Sequence, residues 1–337
     1  MVNTWIEIRE QTNVAEVRRA VQSMASALSF DETTAGNAGL VVTEASRNVL
    51  KHAGGGHVLL RPIVAENSAG IEMLALDKGP GIADLGRCFE DGYSTAGTSG
   101  TGLGAIARLS TVQEIYSQRD RGTVLMAQVW KRNDTHAVLP RFGVGGVCVA
   151  LRGEEACGDG WLFQEGAGGV RLTVADGLGH GRFAADAAQA AVLTARQHTD
   201  ESPPVLLERI HGALRATRGA AVAVAEVQPQ SKTVRFAGVG NIAAAVIPQS
   251  GPLRRLVSFA GTAGHEVRKI VEFCYPWDSR SLLLMHSDGL QTHWSLDSYP
   301  GLFERHPSVI AGVLYRDFSR GRDDVTVVVA REARAQP

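Results

Sequence analysis

Asp77-Lys78-Gly79-Pro80-Gly81 closes an apolar run, and Gly97-Thr98-Ser99-Gly100-Thr101-Gly102-Leu103-Gly104 follows about twenty residues later. A carboxylate at a strand end can accept a hydrogen bond from an amino group such as that of adenine. Glycines let backbone N–H groups, and then a helix N-terminus, face phosphate oxygens. No Gly-Lys-Ser/Thr closes the loop, so it is not a P-loop. Upstream, Asp31 can cap a helix running to about Lys51. That helix carries Glu44, Asn48 and His52 at i, i+4 and i+8, which places all three on one face. A carboxylate and an amide one turn apart can hold magnesium or polarise a hydroxyl. His52 and Lys51 receive no chemical role.

Around these blocks the first part reads as an α/β unit. Trp5–Ile8 is expected as a strand and residues 13–28 as a helix. Strands follow near His57–Val64 and Ile71–Leu76, then a short helix from about Leu103 and two closing strands.

The chain has 337 residues, which suggests two domains. The polar stretch Lys131-Arg132-Asn133-Asp134-Thr135-His136, followed by Pro140, marks the break. The domains are expected at 1–133 and 141–333. Charge is balanced, with 34 Lys/Arg against 35 Asp/Glu overall and 13 against 14 in residues 1–133. No basic run follows a phosphate backbone, so nucleic acid is not an expected partner. Cys88, Cys148, Cys157 and Cys274 form no CxxC pair, which fits a reducing compartment. No signal-like start and no membrane-length apolar stretch is visible, so a cytoplasmic protein without membrane attachment is expected.

The three N-terminal blocks together resemble the GHKL family of ATP-binding domains, in particular its RsbT-like anti-sigma-factor serine kinases, over roughly residues 5–130. Glu44, Asn48 and His52 match the N box. Asp77, Gly79 and Gly81 match the first glycine box, and Gly100-Thr101-Gly102-Leu103-Gly104 the second. The tract 92–102 is similar to the lid over ATP in that branch. The resemblance implies a GHKL (Bergerat) α/β sandwich binding ATP and Mg2+. Asn48 would hold the magnesium, Asp77 would read adenine with help from Thr123, and the 100–104 backbone would bind phosphates. Glu44 would be general base toward a substrate serine. No phosphoacceptor helix precedes Trp5–Ile8, which disfavours a histidine kinase.

The second part alternates strands with two helices, expected at 182–197 and 205–216. Four acidic sites recur at glycines or strand ends: Gly158-Asp159-Gly160, Asp176-Gly177-Leu178-Gly179-His180-Gly181, Asp288-Gly289 and Asp323-Asp324. Carboxylates emerging from apolar strands can converge on hard cations, and two such ions can activate a bridging water. These blocks resemble the SpoIIE-type, RsbX-like branch of the type 2C metal-dependent serine/threonine phosphatases, over residues 142–332. The resemblance implies an α-β-β-α sandwich with two Mn2+ or Mg2+ ions. Asp159, Asp176, Asp288 and Asp323 would be ligands together with the Gly177 carbonyl, and Asp323 is preferred over Asp324. His180 is read as shaping its turn. The phosphate-holding arginine of type 2C enzymes has no clear counterpart, although Arg141 and Arg152 lie near the domain start. The segment 251–277 is poorly matched.

The resemblances together imply a bifunctional regulator of a bacterial partner-switching pathway. It would phosphorylate and dephosphorylate Ser/Thr on a STAS-domain partner, an anti-sigma-factor antagonist. Two alternatives stand beside this reading: a phosphatase gated by a non-catalytic ATP-binding or partner-binding module, and a degenerate phosphatase used as scaffold. The sequence leaves a homodimer open.

Overall fold

The computed structural model describes residues 2–65, 68–82, 102–131, 141–166 and 168–333. Two compact units emerge. One is built on residues 3–131 with Leu296–Arg305, the other on residues 141–295 and 306–333. The stretch read as the domain boundary lies, apart from Lys131, outside the described residues. Among the described residues no helix is long and apolar enough to cross a membrane.

The first unit runs β1 (Thr4–Ile8), α1 (Gln11–Ala27), α2 (Glu32–Ala53), β2 (Gly56–Ala65), β3 (Ser68–Asp77), α3 (Gly102–Leu109), β4 (Val112–Gln118) and β5 (Gly122–Trp130). Its sheet has the order β1-β2-β3-β5-β4, and every pairing is antiparallel. Asp31 starts α2 as expected, accepting from the Thr34 amide at 2.9 Å, and Gly54 ends it at φ 69°. Left-handed backbone at a helix end favours glycine.

Alternate sheet residues Val58, Leu60, Ile71, Met73, Ala75, Leu125 and Ala127 pack against Val17, Val21, Ala38, Val41, Val42, Ala45 and Val49 of α1 and α2. Each fully buried aliphatic side chain contributes on the order of 1.5–3 kcal/mol. That apolar stripe fixes the rotation of α2, and Glu44 and Asn48 fall outside it, half-buried. The opposite face of the sheet carries a buried polar row in register. Arg61 Nε donates to Glu72 Oε1, and Gln128 Nε2 donates to Glu72 Oε2, each at 2.7 Å.

The second unit comprises β6 (Phe142–Val149), β7 (Asp159–Gly166), β8 (Gly169–Gly177), α4 (Arg182–Gln197), α5 (Pro203–Ala213), β9 (Ala220–Gln228), β10 (Thr233–Val239), β11 (Ala243–Ile247), β12 (Arg254–Leu256), β13 (Phe273–Pro276), β14 (Leu282–His286), α6 (Pro307–Phe318) and β15 (Val325–Glu332). Two five-stranded antiparallel sheets form, ordered β13-β10-β9-β8-β7 and β12-β11-β14-β15-β6. Trp161, Leu172, Val174, Phe236, Leu283, Met285 and Val328 fill the space between them.

Small residues of α4 (Ala184, Ala187, Ala188, Ala191, Ala195) and Leu206, Leu207 and Ile210 of α5 cover the outer face of the first sheet. Helix α6 covers β6 of the second sheet so closely that a Cβ on Gly145 would lie 2.0 Å from the Ser308 amide nitrogen. The result is an α-β-β-α sandwich, which buries both faces of each sheet. The sequence reading did not anticipate α6 or β7. Helix α6 is buried on all sides from Pro307 to Arg316, so it shows no amphipathic period. Strand β7 opens on Asp159-Gly160, which reads locally as a turn.

Candidate functional site

In the first unit the end of β3, the start of α3 and helix α2 bring Asp77, Gly79, Gly102, Glu44 and Asn48 to one side of the sheet's strand ends. Asp77 ends β3, and its Oδ1 accepts from the Gly79 amide at 2.8 Å and the Thr123 amide at 3.2 Å. Gly122 has φ 86°, and a Cβ there would stand 2.1 Å from the Asp77 carbonyl oxygen. Gly81 (φ 74°) passes the Gln118 carbonyl equally closely, at 2.3 Å. Only glycine permits these approaches. Ser117, which sequence reasoning missed, links the parts. Its Oγ accepts from the Ile82 amide at 2.8 Å and lies 2.9 Å from Thr123 Oγ1.

Gly102, Leu103 and Gly104 open α3, and a Cβ on Gly102 would lie 3.2 Å from Glu44 Oε2 and 3.7 Å from Asn48 Oδ1. The start of α3 therefore faces the two N-box side chains, where helix-terminal amides favour anions. Glu44 also pairs with Arg47 at 3.0 Å. Burial, then the neighbouring Lys51 charge, lowers the His52 pKa. Gly100, Thr101 and the lid tract 92–101 lie outside the described residues.

In the second unit Asp159, Asp176, Asp288 and Asp323 lie at one end of the sandwich, within electrostatic reach of one another in turn. Asp159 and Asp176 are direct cross-strand partners on β7 and β8. Asp159 is buried; its Oδ2 accepts from Ser287 Oγ at 2.6 Å, and its Oδ1 is buried with no hydrogen-bond partner among the described residues. Burial and then Asp176 push the Asp159 pKa well above the usual carboxylate range. Burial, followed by the charges of Asp288, Asp323 and Asp324, pushes Asp176 up to about 8. Asp288 is raised by burial and then by Asp323, with Arg320 opposing.

An orphaned buried carboxylate oxygen and mutually repelling acids are what a hard-cation site looks like without its charge balanced. Among the described residues no three of these side chains close around a single point. Carboxylates that repel each other have reason to stand apart. The donor set, all oxygen, fits divalent magnesium or manganese.

Of the supporting residues, Asn241 and Trp294 carried no sequence signal. Ser287 Oγ also accepts from the Thr326 amide at 2.9 Å, tying the β14 and β15 ends to Asp159. Asn241 Nδ2 donates to Asp288 Oδ2 at 2.7 Å. The Trp294 indole donates to Nε2 of buried His286 at 3.0 Å, and His286 Nδ1 lies 2.8 Å from the Ser287 carbonyl oxygen. Burial lowers the His286 pKa, and this pairing suits the neutral Nδ1–H tautomer. His180 sits beside Glu154 at 2.6 Å, at the mouth of its turn.

A family model described as histidine kinase-like ATPase domain matches residues 9–129, and one described as stage II sporulation protein E (SpoIIE) matches residues 166–332. The chain joins a histidine kinase-like ATPase domain to a SpoIIE domain. The ATPase domain is 28% identical over 127 residues to the serine/threonine-protein kinase RsbT of Bacillus subtilis, covering 38% of this chain and 96% of RsbT. A second stretch is 23% identical over 138 residues to the phosphoserine phosphatase RsbX of the same organism, covering 41% of this chain and 69% of RsbX.

A solved chain from work on the bacterial stressosome is 28% identical with a TM-score of 0.54, over 57% of this chain and all of that one. RsbX in complex with magnesium shares the fold at 18% identity and a TM-score of 0.50, over 58% of this chain and 98% of that one. The PP2C phosphatase domain of SpoIIE from Bacillus subtilis, solved with a fragment of its regulatory domain, shares the fold at 17% identity and a TM-score of 0.50.

Within the SpoIIE domain, Asp323 and Asp324 are held differently. Asp324 is buried, and its two oxygens accept from the Leu151 amide and the Gly158 amide, each at 2.8 Å. Its carboxylate staples the chain before β7 to the start of β15. Among the described residues Asp323 Oδ1 receives only the Asp324 amide, at 2.9 Å. Asp324→Asn is therefore expected to lower the melting temperature of the metal-free domain, through about 1–3 kcal/mol of lost charge-assisted bonding. Asp323→Asn should leave that temperature within a degree or two and weaken Mn2+ binding instead. Calorimetry with and without Mn2+ separates them.

Proposed function

We propose that this chain adds phosphate to, and removes it from, a serine or threonine of a small STAS-domain protein in a bacterial partner-switching pathway. The observation that carries the reading is the presence, in one chain, of an N box facing the α3 terminus and a four-aspartate cluster. The similarity to a kinase and a phosphatase, RsbT and RsbX, supports it.

In the ATPase domain Asp77 reads the adenine amino group, with Thr123 beside it and Gly79 and Gly81 shaping the turn. Asn48 would hold Mg2+, and Gly102, Leu103 and Gly104 at the start of α3 would face the phosphates. Glu44 takes the proton from the substrate hydroxyl onto a carboxylate oxygen. The rest of phosphoryl transfer is positioning and charge stabilisation.

In the SpoIIE domain Asp159, Asp176, Asp288, Asp323 and the Gly177 carbonyl would hold two Mn2+ or Mg2+ ions. When bound, such ions supply a water acidic enough to attack phosphorus. Ser287 and Asn241 fix the orientation of Asp159 and Asp288, the kind of support ligands need.

One observation favours a second reading, in which the ATPase domain binds ATP without turnover and gates the phosphatase. Arg47 holds Glu44 at 3.0 Å and competes for the base. Radiolabelled ATP, Mn2+ and a STAS-domain protein as substrate test the two. The primary reading expects label to appear on the partner's serine or threonine and then as free phosphate. Label that never reaches the partner, while prephosphorylated partner is still hydrolysed, establishes the gated phosphatase instead.

A further inference from the structure

A dianionic phosphate monoester approaching four aspartates needs a cation beside them, and of the arginines near the domain start Arg141 is a poor candidate. The Ala333 amide donates to the Arg141 carbonyl at 2.8 Å, so Arg141 sits at the outer end of β6. The acids lie at the other end of this eight-residue strand, about 25 Å away at ~3.3 Å per residue. Arg152 lies on the correct side, next to Leu151.

Arg218 is placed better. It occupies the turn entering β9, whose first pairings are Gly177 with Ala220 and Asp176 with Ala221. The turn is firmly held. Thr217 Oγ1 donates to the Leu214 carbonyl at 2.7 Å and accepts from the Gly219 amide at 3.0 Å, while the Leu178 amide donates to the Gly219 carbonyl at 3.0 Å. The guanidinium lies 4.9 Å from the centroid of the Phe183 ring. Its Nη1 is 3.4 Å from where a Cβ on Gly179 would stand. Stacking on an aromatic face orients a guanidinium while leaving its N–H fork free to bind. Phe183 and Leu178 are 63% and 57% exposed, an apolar shoulder around the cation, and Arg218 makes no ion pair among the described residues.

We propose that Arg218, stacked on Phe183 beside the Asp176–Gly179 turn, receives the phosphoryl group of a phosphoserine or phosphothreonine protein substrate. Leu178 and Phe183 contact the residues flanking it. This rests on the SpoIIE domain acting as a phosphatase. The fork binds two phosphate oxygens in ground and transition state alike, so its loss raises KM more than it lowers kcat.

The test uses the full chain with saturating Mn2+, a phosphoserine peptide as substrate and inorganic phosphate as competing product. Arg218→Ala should raise both KM and the phosphate inhibition constant about 10- to 100-fold, with kcat within about threefold and Mn2+ activation unchanged. Arg218→Lys should fall between, because it keeps the charge and loses the fork. Phe183→Ala should raise KM by a smaller factor.

The proposal is overturned if Arg218→Ala leaves the phosphate constant unchanged while Arg152→Ala or Arg320→Ala raises it. It is equally overturned if Arg218→Ala lowers kcat and Mn2+ affinity together with melting temperature, since a structural role does that. Should the wild type prove inactive on the peptide, the phosphatase reading fails by itself. Equilibrium binding of inorganic phosphate with Mn2+, unchanged by Arg218→Ala, would then sink the assignment of Arg218 as well.

Discussion

Asp176→Asn is expected to reduce Mn2+-dependent hydrolysis of a phosphoserine protein by about a thousandfold or more, the scale of losing a principal charge contact in a hydrolytic centre. The same substitution should make the metal-free domain more stable. Asp176 faces Asp159 across the β7–β8 pair and feels the charges of Asp288, Asp323 and Asp324, which with burial push its pKa from 3.8 to about 8. A carboxyl whose folded-state pKa is raised favours folding in its protonated form. That contribution is complete below about pH 4 and is lost as pH climbs through about 8.

Metal-free wild type should therefore lose stability between pH 4 and pH 8, and Asp176→Asn should lose less. At pH 8 the variant should melt higher, by about 2–4 °C for each kcal/mol relieved, and the gap should close near pH 4. Saturating Mn2+ should raise the wild type far more than the variant, because an ion that binds only the folded state stabilises it by mass action. Calorimetry at both pH values, with and without Mn2+, checks all three signs. A variant that melts below wild type in every condition would mean that Asp176 is a structural carboxylate.

Glu44→Ala should lower phosphorylation of the STAS partner by about 10²- to 10⁴-fold, the range for a positioned general base, while nucleotide affinity changes less than about threefold. The separation is geometric. The residues proposed for the adenine side, Asp77, Thr123, Gly79 and Gly81, are bound together through Asp77 Oδ1 and Ser117 by hydrogen bonds that do not involve Glu44. Glu44 instead lies on the half-buried edge of α2, where Gly102 at the start of α3 faces it. Removing its carboxylate also breaks the ion pair with Arg47. Arg47→Ala gives the reverse arm: it frees Glu44 and should not reduce transfer. Nucleotide binding by fluorescence titration beside single-turnover phosphorylation distinguishes the two roles. Equal loss of binding and transfer would show that Glu44 serves nucleotide affinity rather than proton removal.

Legibility from sequence followed the range of the interaction. Helix α2 declared itself through the Asp31 cap and an apolar stripe, both local. The four aspartates were readable because each sits in a short block beside a glycine or at a strand end. What escaped had no local mark. Helix α6 is apolar all round because it is buried all round. Strand β7 begins with an Asp-Gly pair that looks like a turn, and only pairing with β8 reveals it. Asn241 and Trp294 are ordinary residues in sequence; the role of Asn241 rests on Asp288, 47 residues away, and that of Ser287 on Asp159, 128 residues away. Arg218 belongs to the same class. A single arginine before a strand carries no message until the Phe183 ring is found beneath it.

The most direct measurement of the central claim follows phosphate on the STAS partner during incubation with ATP and Mn2+, comparing wild type, Asp176→Asn, and Asp176→Asn combined with Glu44→Ala. Two opposed active sites on one partner predict little phosphorylated partner with wild type, accumulation with Asp176→Asn, and none with the double variant. Absence of phosphorylated partner in Asp176→Asn, from a protein that still binds ATP, would contradict the claim and leave the ATPase domain as a regulator of the phosphatase.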